Sequence, residues 1–155
     1  MIIWDINIRI FHFLLIIFMI LTITSAKLNL LIFHQYFGVT FIGLLIFRLL
    51  WGFFGSTYSK FKNLIYSPRE IYLFMKGETI QKRGHNVLGF FSILSFYMTI
   101  LVLSITGLFS SDDIFFDGPL VFLTPNLTGQ WTKLHNFFHY VIYFLIIIHI
   151  FAILF

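Results

Sequence analysis

The sequence predicts an all-α membrane protein, a bundle of four transmembrane helices that forms a single domain over residues 1–155. The first observation is composition: 59% of the residues are hydrophobic and 10% are charged, whereas a soluble domain carries about 25% charged residues. The second is the distribution of the apolar residues, since runs of about 20 suffice to cross a bilayer as a helix. Such runs lie at about Ile8–Ser25, Leu28–Phe54, Val87–Phe109 and Leu134–Phe155.

The charges predict the orientation of the bundle. The segment Gly55–Asn86 is basic, with Lys60, Lys62, Arg69, Lys76, Lys82 and Arg83 against Glu70 and Glu78. The segment Ser110–Lys133 is acidic, with Asp112, Asp113 and Asp117 against Lys133. The positive-inside rule places Gly55–Asn86 in the cytoplasm, and with it both chain ends. Topology therefore accounts for the net charge of +4 without a nucleic-acid partner.

The first apolar segment is interpreted as a retained span and not as a signal peptide. The N-terminal region that a signal peptide would need is weakly charged here, with Arg9 against Asp5, and Thr24-Ser25-Ala26 is a poor cleavage site. Trp4, Trp51 and Trp131 are placed to form interfacial belts.

Shorter features follow along the chain. In the basic segment, Ser67-Pro68-Arg69-Glu70 is typical of a helix start with proline at the first position. It predicts an amphipathic helix at about Arg69–Lys76 that lies on the membrane surface. After the fourth apolar segment the sequence stops at Phe155 without a basic tail, so we expect that the natural chain continues.

The histidines are the candidate functional residues. The absence of cysteine excludes disulfides, iron–sulfur clusters, thiolate-ligated haem and c-type haem attachment. Of the six histidines, His135 and His149 lie about four helical turns apart on one face of the fourth segment, separated by roughly 21 Å in depth. An imidazole inside a membrane is costly and therefore a functional candidate by default. Two on one stripe suggest two stacked cofactors.

Depth pairs these histidines with two others. His12 lies near the start of the first segment, on the cytoplasmic side, and His34 near the start of the second, on the outer side. We therefore expect an inner pair, His12 with His149, and an outer pair, His34 with His135. Two bis-histidine pairs are what two six-coordinate b-type haems need. His12 and His34 differ by roughly 12 Å in depth, whereas His135 and His149 on the fourth segment differ by roughly 21 Å. Helix tilt or an irregular turn has to absorb the difference.

Two further histidines compete for roles. His139 shares a face with His135 but lies about 80° away from the stripe that includes His149, and it ranks second as a ligand. His85, in Gly84-His85-Asn86, is a candidate contact for a haem propionate or a quinone, or an ordinary interfacial residue. A single histidine in a span is often only a hydrogen-bonding core residue, but four paired by depth favour haem.

Three other residues are candidates to bind the cofactor. Gly38 follows His34 by one turn, and its missing side chain leaves room for a porphyrin or for close packing of another helix. Arg48 lies on the same stripe near the inner interface, where it could bind a propionate or extend to the lipid headgroups. Arg9, one turn before His12, has the same two interpretations.

At these residues the chain resembles a known family, the bacterial cytochrome b561 and Ni,Fe-hydrogenase-type b cytochromes. The resemblance covers essentially the whole chain, and the order and spacing of its parts are specific. The matching parts are Trp4-Asp5 with Arg9 and His12, His34 with Gly38 and Arg48 continuing into Leu49-Leu50-Trp51-Gly52-Phe53, Gly84-His85-Asn86, Thr106–Ile114 with Asp117-Gly118-Pro119-Leu120, and His135 with His149.

The resemblance implies two b haems held by histidines on the first, second and fourth helices of a multi-pass protein in the bacterial inner membrane. It also implies respiratory electron transfer across or within the membrane, between the quinone pool and a cytochrome c or another redox subunit. We expect an electron-transfer subunit with no bond-making active site. The acidic segment Ser110–Lys133 is a candidate surface for a basic carrier, or simply a solvated loop.

Two other classes of function remain as alternatives. One is a small oxidoreductase that reacts with superoxide or quinone, and the acidity of the outer segment counts against superoxide. The other is a haem-free membrane anchor or metal transporter, for which the ligands should cluster at one depth instead of spreading over both leaflets.

Overall fold

The helices of the protein follow the predicted apolar segments. A computed structural model describes residues 5–57, 59–78, 81–82, 85–112, 114 and 116–154. Within this part of the chain, four helices are long and apolar enough to cross a membrane. They are α1 (Ile6–Lys27), α2 (Leu31–Phe54), α5 (Val87–Phe109) and α6 (Thr128–Leu154). The predicted all-α, four-helix membrane fold is therefore confirmed.

The first two helices form a hairpin that is joined at both ends. Asp5 is the N-cap of α1, where its carboxylate accepts a hydrogen bond from the N–H of Ile8 (2.9 Å). The same carboxylate accepts hydrogen bonds from Trp51 Nε1 at 3.1 Å and from the hydroxyl of Ser56, which fastens the start of α1 to the end of α2. At the other end the chain reverses between Lys27 and Leu31, and Asn29 adopts a positive φ of 55°, a conformation that asparagine tolerates better than most residues.

The segment between α2 and α5 is partly helical. It contains the single turn α3 (Phe61–Leu64) and the helix α4 (Pro68–Met75). As predicted, a proline, Pro68, is the first residue of α4. Ser67 is the N-cap, and its side chain and that of Glu70 form a reciprocal capping box. Two short antiparallel strands, β1 (Gln81–Lys82) and β2 (His85–Asn86), lead to α5, and the side chain of Asn86 caps that helix by accepting from Gly89 N–H at 2.7 Å.

The segment between α5 and α6 is shorter than the acidic loop predicted from sequence. The helix α6 begins at Thr128, ahead of the expected start at Leu134, because polar residues such as Gln130 and Lys133 are good helix formers that a hydrophobicity pattern does not detect. Before it, turns of 3₁₀ helix cover Val121–Leu123 and Pro125–Leu127.

The interior of the bundle is small compared with its apolar exterior. Phe41 and Leu45 of α2, Ile100 of α5 and Ile142 of α6 form the buried cluster. All four long helices also expose large apolar side chains. In a soluble protein such a surface would be costly, whereas lipid tails are as apolar as these side chains.

Some sequence-based predictions fall outside the described residues. They concern Trp4, Arg83, Gly84, Asp113, Phe155 and the side chains of Lys82 and His85.

Candidate functional site

The imidazole rings of His34 and His135 lie next to each other inside the bundle, with their planes nearly perpendicular. Their ring centres are 6.1 Å apart and their planes are inclined at 87°. Two imidazoles that each bind one metal ion through a ring nitrogen at about 2 Å have ring centres on the order of 6 Å apart. The structure therefore brings together the two residues of the predicted outer pair, at a spacing that one metal ion between them could bridge.

Each of these two rings is held through its Nδ1 atom by the neighbouring helix. His34 Nδ1–H donates a hydrogen bond to the carbonyl oxygen of Thr22 on α1, at 2.9 Å. His135 Nδ1–H donates to the carbonyl oxygen of Leu103 on α5, at 3.1 Å. Because a carbonyl only accepts, the hydrogen of each neutral ring is on Nδ1 and the lone pair is on Nε2. Metal-binding histidines are usually oriented by such a bond from the second ring nitrogen.

A cavity of about 310 Å³ adjoins both rings. Gly38 lines it, and a Cβ atom built on Gly38 would meet no atom within 4 Å, so the missing side chain opens onto free space. The rest of the lining is largely apolar and comes from α1, α2, α5 and α6. The donor atoms, the open glycine and the apolar walls fit a flat, mostly hydrophobic cofactor with a metal at its centre.

Arg48 is buried near the other end of α2. Its side chain is 6% exposed, and its Nη1 atom has no hydrogen-bond partner. The guanidinium carbon lies 4.7 Å from the ring centre of Phe61 and 5.9 Å from that of Tyr97. A buried cation with a free donor is costly unless an anion completes it. The observed burial also shows that Arg48 does not extend to the lipid headgroups.

His12 lies near the start of α1 and His149 near the end of α6, and both are less enclosed than the outer pair. His149 is half-buried and packs edge-on against Phe96, with ring centres 5.4 Å apart. His12 is exposed on α1. The structure therefore places both residues of the predicted inner pair at the same end of the bundle, without the close ring contact of His34 and His135.

The competing candidates have other surroundings. His139 packs against Tyr143, with ring centres 4.4 Å apart, and it lines the same cavity as His34 and His135. Arg9 is exposed on α1. Among the described residues there is no group of three or more His, Cys, Asp or Glu side chains that could enclose a metal ion.

Sequence reasoning missed the residues that hold the two rings. The acceptors Thr22 and Leu103 act through backbone carbonyls, which every residue has, so no residue type signals them. Thr106 and Gly107, which contact His135, did carry a signal, because they belong to a stretch recognised in the family resemblance. Their role was visible only once α5 and α6 were packed together.

Four membrane-spanning helices around a pair of adjacent imidazoles, each with its lone pair on Nε2, define a class of integral membrane protein suited to binding haem inside a helix bundle. The chain belongs to the prokaryotic cytochrome b561 family, whose model matches residues 3–155. This membership makes it a multi-pass bacterial membrane protein of a haem b electron-transfer family. No curated protein is significantly similar to the chain. No solved structure is significantly similar to it either.

Proposed function

We propose that the protein is a di-haem b cytochrome that transfers electrons through the membrane. The observation that carries this proposal is the outer pair, His34 and His135, whose rings are spaced for one metal ion and whose Nδ1 atoms are both occupied by carbonyl oxygens. Their Nε2 lone pairs are the remaining donors, with which these two histidines would hold one haem.

His12 and His149 are the proposed ligands of a second haem. The support is their position near the start of α1 and near the end of α6, at the opposite end of the bundle from the first pair. Arg48 is the proposed partner of a propionate at this end, because its Nη1 atom is buried and lacks an acceptor. Gly38 leaves space for a porphyrin face beside His34.

Haem b supplies a one-electron couple when bound, and this chain's residues set the conditions under which the couple works. The imidazoles of the two histidine pairs would hold the iron of each haem, an arrangement that suits electron transfer and not oxygen chemistry. The apolar lining of the cavity excludes water and lowers the local dielectric constant. Arg48 provides a buried positive charge near the C-terminal end of α2. No bond-making active site is part of the proposal.

We also propose the orientation of the protein, the membrane that holds it and the class of its redox partners. The excess of Lys and Arg in residues 55–86 supports a cytoplasmic location for that segment and for both ends, within the bacterial inner membrane. A quinone on one side and a cytochrome c or another redox subunit on the other are the expected partners. The acidic outer segment is a less obvious docking surface than its sequence suggests, because Asp112 accepts hydrogen bonds from the loop backbone and Asp117 accepts one from Ser111.

The test is a reduced-minus-oxidised visible spectrum of the purified protein, with haem quantified as the pyridine haemochrome. We expect two b haems per chain with two midpoint potentials. Changing His34 or His135 to alanine should remove one haem and leave the other, and changing His12 or His149 should remove the second.

His139→Ala is the matched control, because His139 lies on the same helix as His135 and lines the same cavity. It should keep both haems. If His139→Ala loses a haem and His135→Ala keeps both, the ligand is His139 and not His135. A folded protein that binds no haem would contradict the proposed function altogether.

A further inference from the structure

Helix α5 contains none of the proposed haem ligands, yet it holds the ring of His135 from two directions. The hydroxyl Oγ1 of Thr106 lies 3.0 Å from His135 Nδ1. At the next position, a Cβ atom added to Gly107 would come within 3.2 Å of His135 Cε1. Thr106 is itself 1% exposed. The side chain of a fully buried threonine is thus directed at the ring nitrogen opposite to the proposed donor atom.

The hydrogen bonds of Thr106 define the direction of this contact. Its hydroxyl lies 2.7 Å from the carbonyl oxygen of Val102, and because a carbonyl only accepts, Thr106 donates its single hydrogen there. The remaining lone pairs of Oγ1 are free to accept. His135 Nδ1–H therefore has two acceptors on α5, Thr106 Oγ1 and the Leu103 carbonyl oxygen at 3.1 Å, which together fix the rotation of the ring.

We propose that Thr106 is a positioning residue for His135 that sets the orientation and the donor strength of this ligand. The proposal rests on the proposed function in one respect, that His135 binds haem iron. When Nδ1–H donates a hydrogen bond, Nε2 of the same ring becomes more basic. A more basic ligand favours the oxidised over the reduced iron, so Thr106 lowers the midpoint potential of the haem held by His34 and His135. Gly107 contributes by leaving room for the ring.

The test compares three variants of the full-length, haem-loaded protein. Thr106→Val keeps the shape and removes the hydroxyl, Thr106→Ser restores the hydroxyl, and Thr99→Val makes the same chemical change at another buried threonine of α5. The readouts are the two midpoint potentials, the low-spin haem signals in electron paramagnetic resonance, which respond to the orientation of the imidazole planes, and the rate of haem loss to an excess of apomyoglobin.

For Thr106→Val we expect two haems with one midpoint raised and one resonance signal shifted. Loss of the affected haem should be about tenfold faster or more, since removing a residue that orients a metal ligand typically costs 10–100-fold in affinity. Thr106→Ser should return all three readouts towards those of the wild type, and Thr99→Val should leave them unchanged. If Thr106→Val does not accumulate in the membrane, Thr106→Ala is compared with Thr106→Ser in the same way.

The outcomes separate this inference from the proposed function. In one outcome, the histidine variants lose their haems selectively, but Thr106→Val and Thr99→Val show equal potentials and signals. This outcome would overturn the role of Thr106 and leave the cytochrome assignment standing. Retention of both haems in His135→Ala would overturn the ligand assignment on which the inference rests. A wild-type protein without haem would overturn both.

Discussion

At the scale of single residues, the two proposed haem sites differ in how far the polypeptide prepares them. His34 and His135 each donate a hydrogen bond to a neighbouring helix, so the tautomer of each ring is already fixed. His12 is exposed, and His149 has an aromatic neighbour, Phe96. Preorganised ligands lose less conformational freedom on binding. We therefore expect the His34–His135 site to bind haem more tightly than the His12–His149 site.

Arg48 allows a prediction about the weaker site. Arg48→Gln should lower the midpoint potential of one haem, because the positive charge of Arg48 favours the reduced iron. We expect a change on the order of tens of millivolts, since a hydrogen bond to a charged group is worth about 1.5–3 kcal/mol and part of that interaction depends on the iron's oxidation state. A redox titration followed in the visible range measures it. Arg9→Gln, which removes an exposed charge, is the control and should leave both potentials in place. Equal effects of the two variants would contradict a specific role for Arg48.

Asp5 gives the protein a pH-dependent contribution to stability. Partial burial acts to raise the pKa of Asp5, but hydrogen bonds from Ser56, the Ile8 N–H and Trp51 outweigh it and lower the pKa below its ordinary value of 3.8. A lowered pKa in the folded state stabilises the fold above the ordinary value, and this stabilisation is lost as pH falls through the folded-state pKa. Because Asp5 is mostly solvated, we expect less than about 1 kcal/mol.

The corresponding measurement is the melting temperature of the wild type and of Asp5→Asn across a range of pH. The wild type should be the more stable at neutral pH, and the difference should shrink as the pH falls below 3.8. A difference that stays constant through this range would show that the charge of Asp5 does not contribute.

At the scale of elements, α4 has an apolar side that the described part of the chain leaves exposed. Met75 is 80% exposed and Tyr72 is 56% exposed, and no residue of α4 is buried. The helix follows directly after Tyr66, which is buried against Phe90 at the start of α5. This contact holds the beginning of α4 beside a membrane-spanning helix, so the predicted position on the membrane surface remains our expectation.

A spin label on Met75→Cys in lipid nanodiscs tests this position. The 155-residue sequence has no cysteine, so the label is unique in a protein of this sequence. We expect it to be more accessible to oxygen than to a water-soluble nickel complex, because its apolar environment is the acyl-chain boundary. Lys62→Cys, at an exposed polar position, is the control and should show the opposite preference. A water-like profile at Met75 would place α4 in solution.

At the scale of the whole molecule, the orientation in the membrane remains a prediction. Lys62→Cys lies in the segment between α2 and α5, and Phe122→Cys in the segment between α5 and α6, where Phe122 is exposed. A membrane-impermeant maleimide should label the cysteine at 122 in spheroplasts and the cysteine at 62 only in inverted vesicles. The reverse pattern would place both chain ends outside.

Much of this architecture was predictable because the bilayer imposes simple rules. Span length and the exclusion of charge located all four helices, and helical periodicity together with alternating direction paired His34 with His135 by depth. The hydrogen bonds from His34 to Thr22 and from His135 to Leu103 were not predictable, because they depend on which carbonyls face the rings after the helices pack. The start of α6 at Thr128 was missed because hydrophobicity reports the lipid-facing part of a helix and not its polar extension.

The placement of each ring and its acceptor has a consequence for how the two halves of the protein hold together. Thr22 and His34 belong to the first pair of helices, whereas Leu103, Thr106 and His135 belong to the second. Each helical pair packs more extensively within itself than against the other. Each half can therefore orient its own imidazole, and the buried cluster of Phe41, Leu45, Ile100 and Ile142 joins the two halves. We expect haem bound between His34 and His135 to add a second junction, so that heat or detergent separates the hairpins of haem-free protein more readily than those of haem-loaded protein.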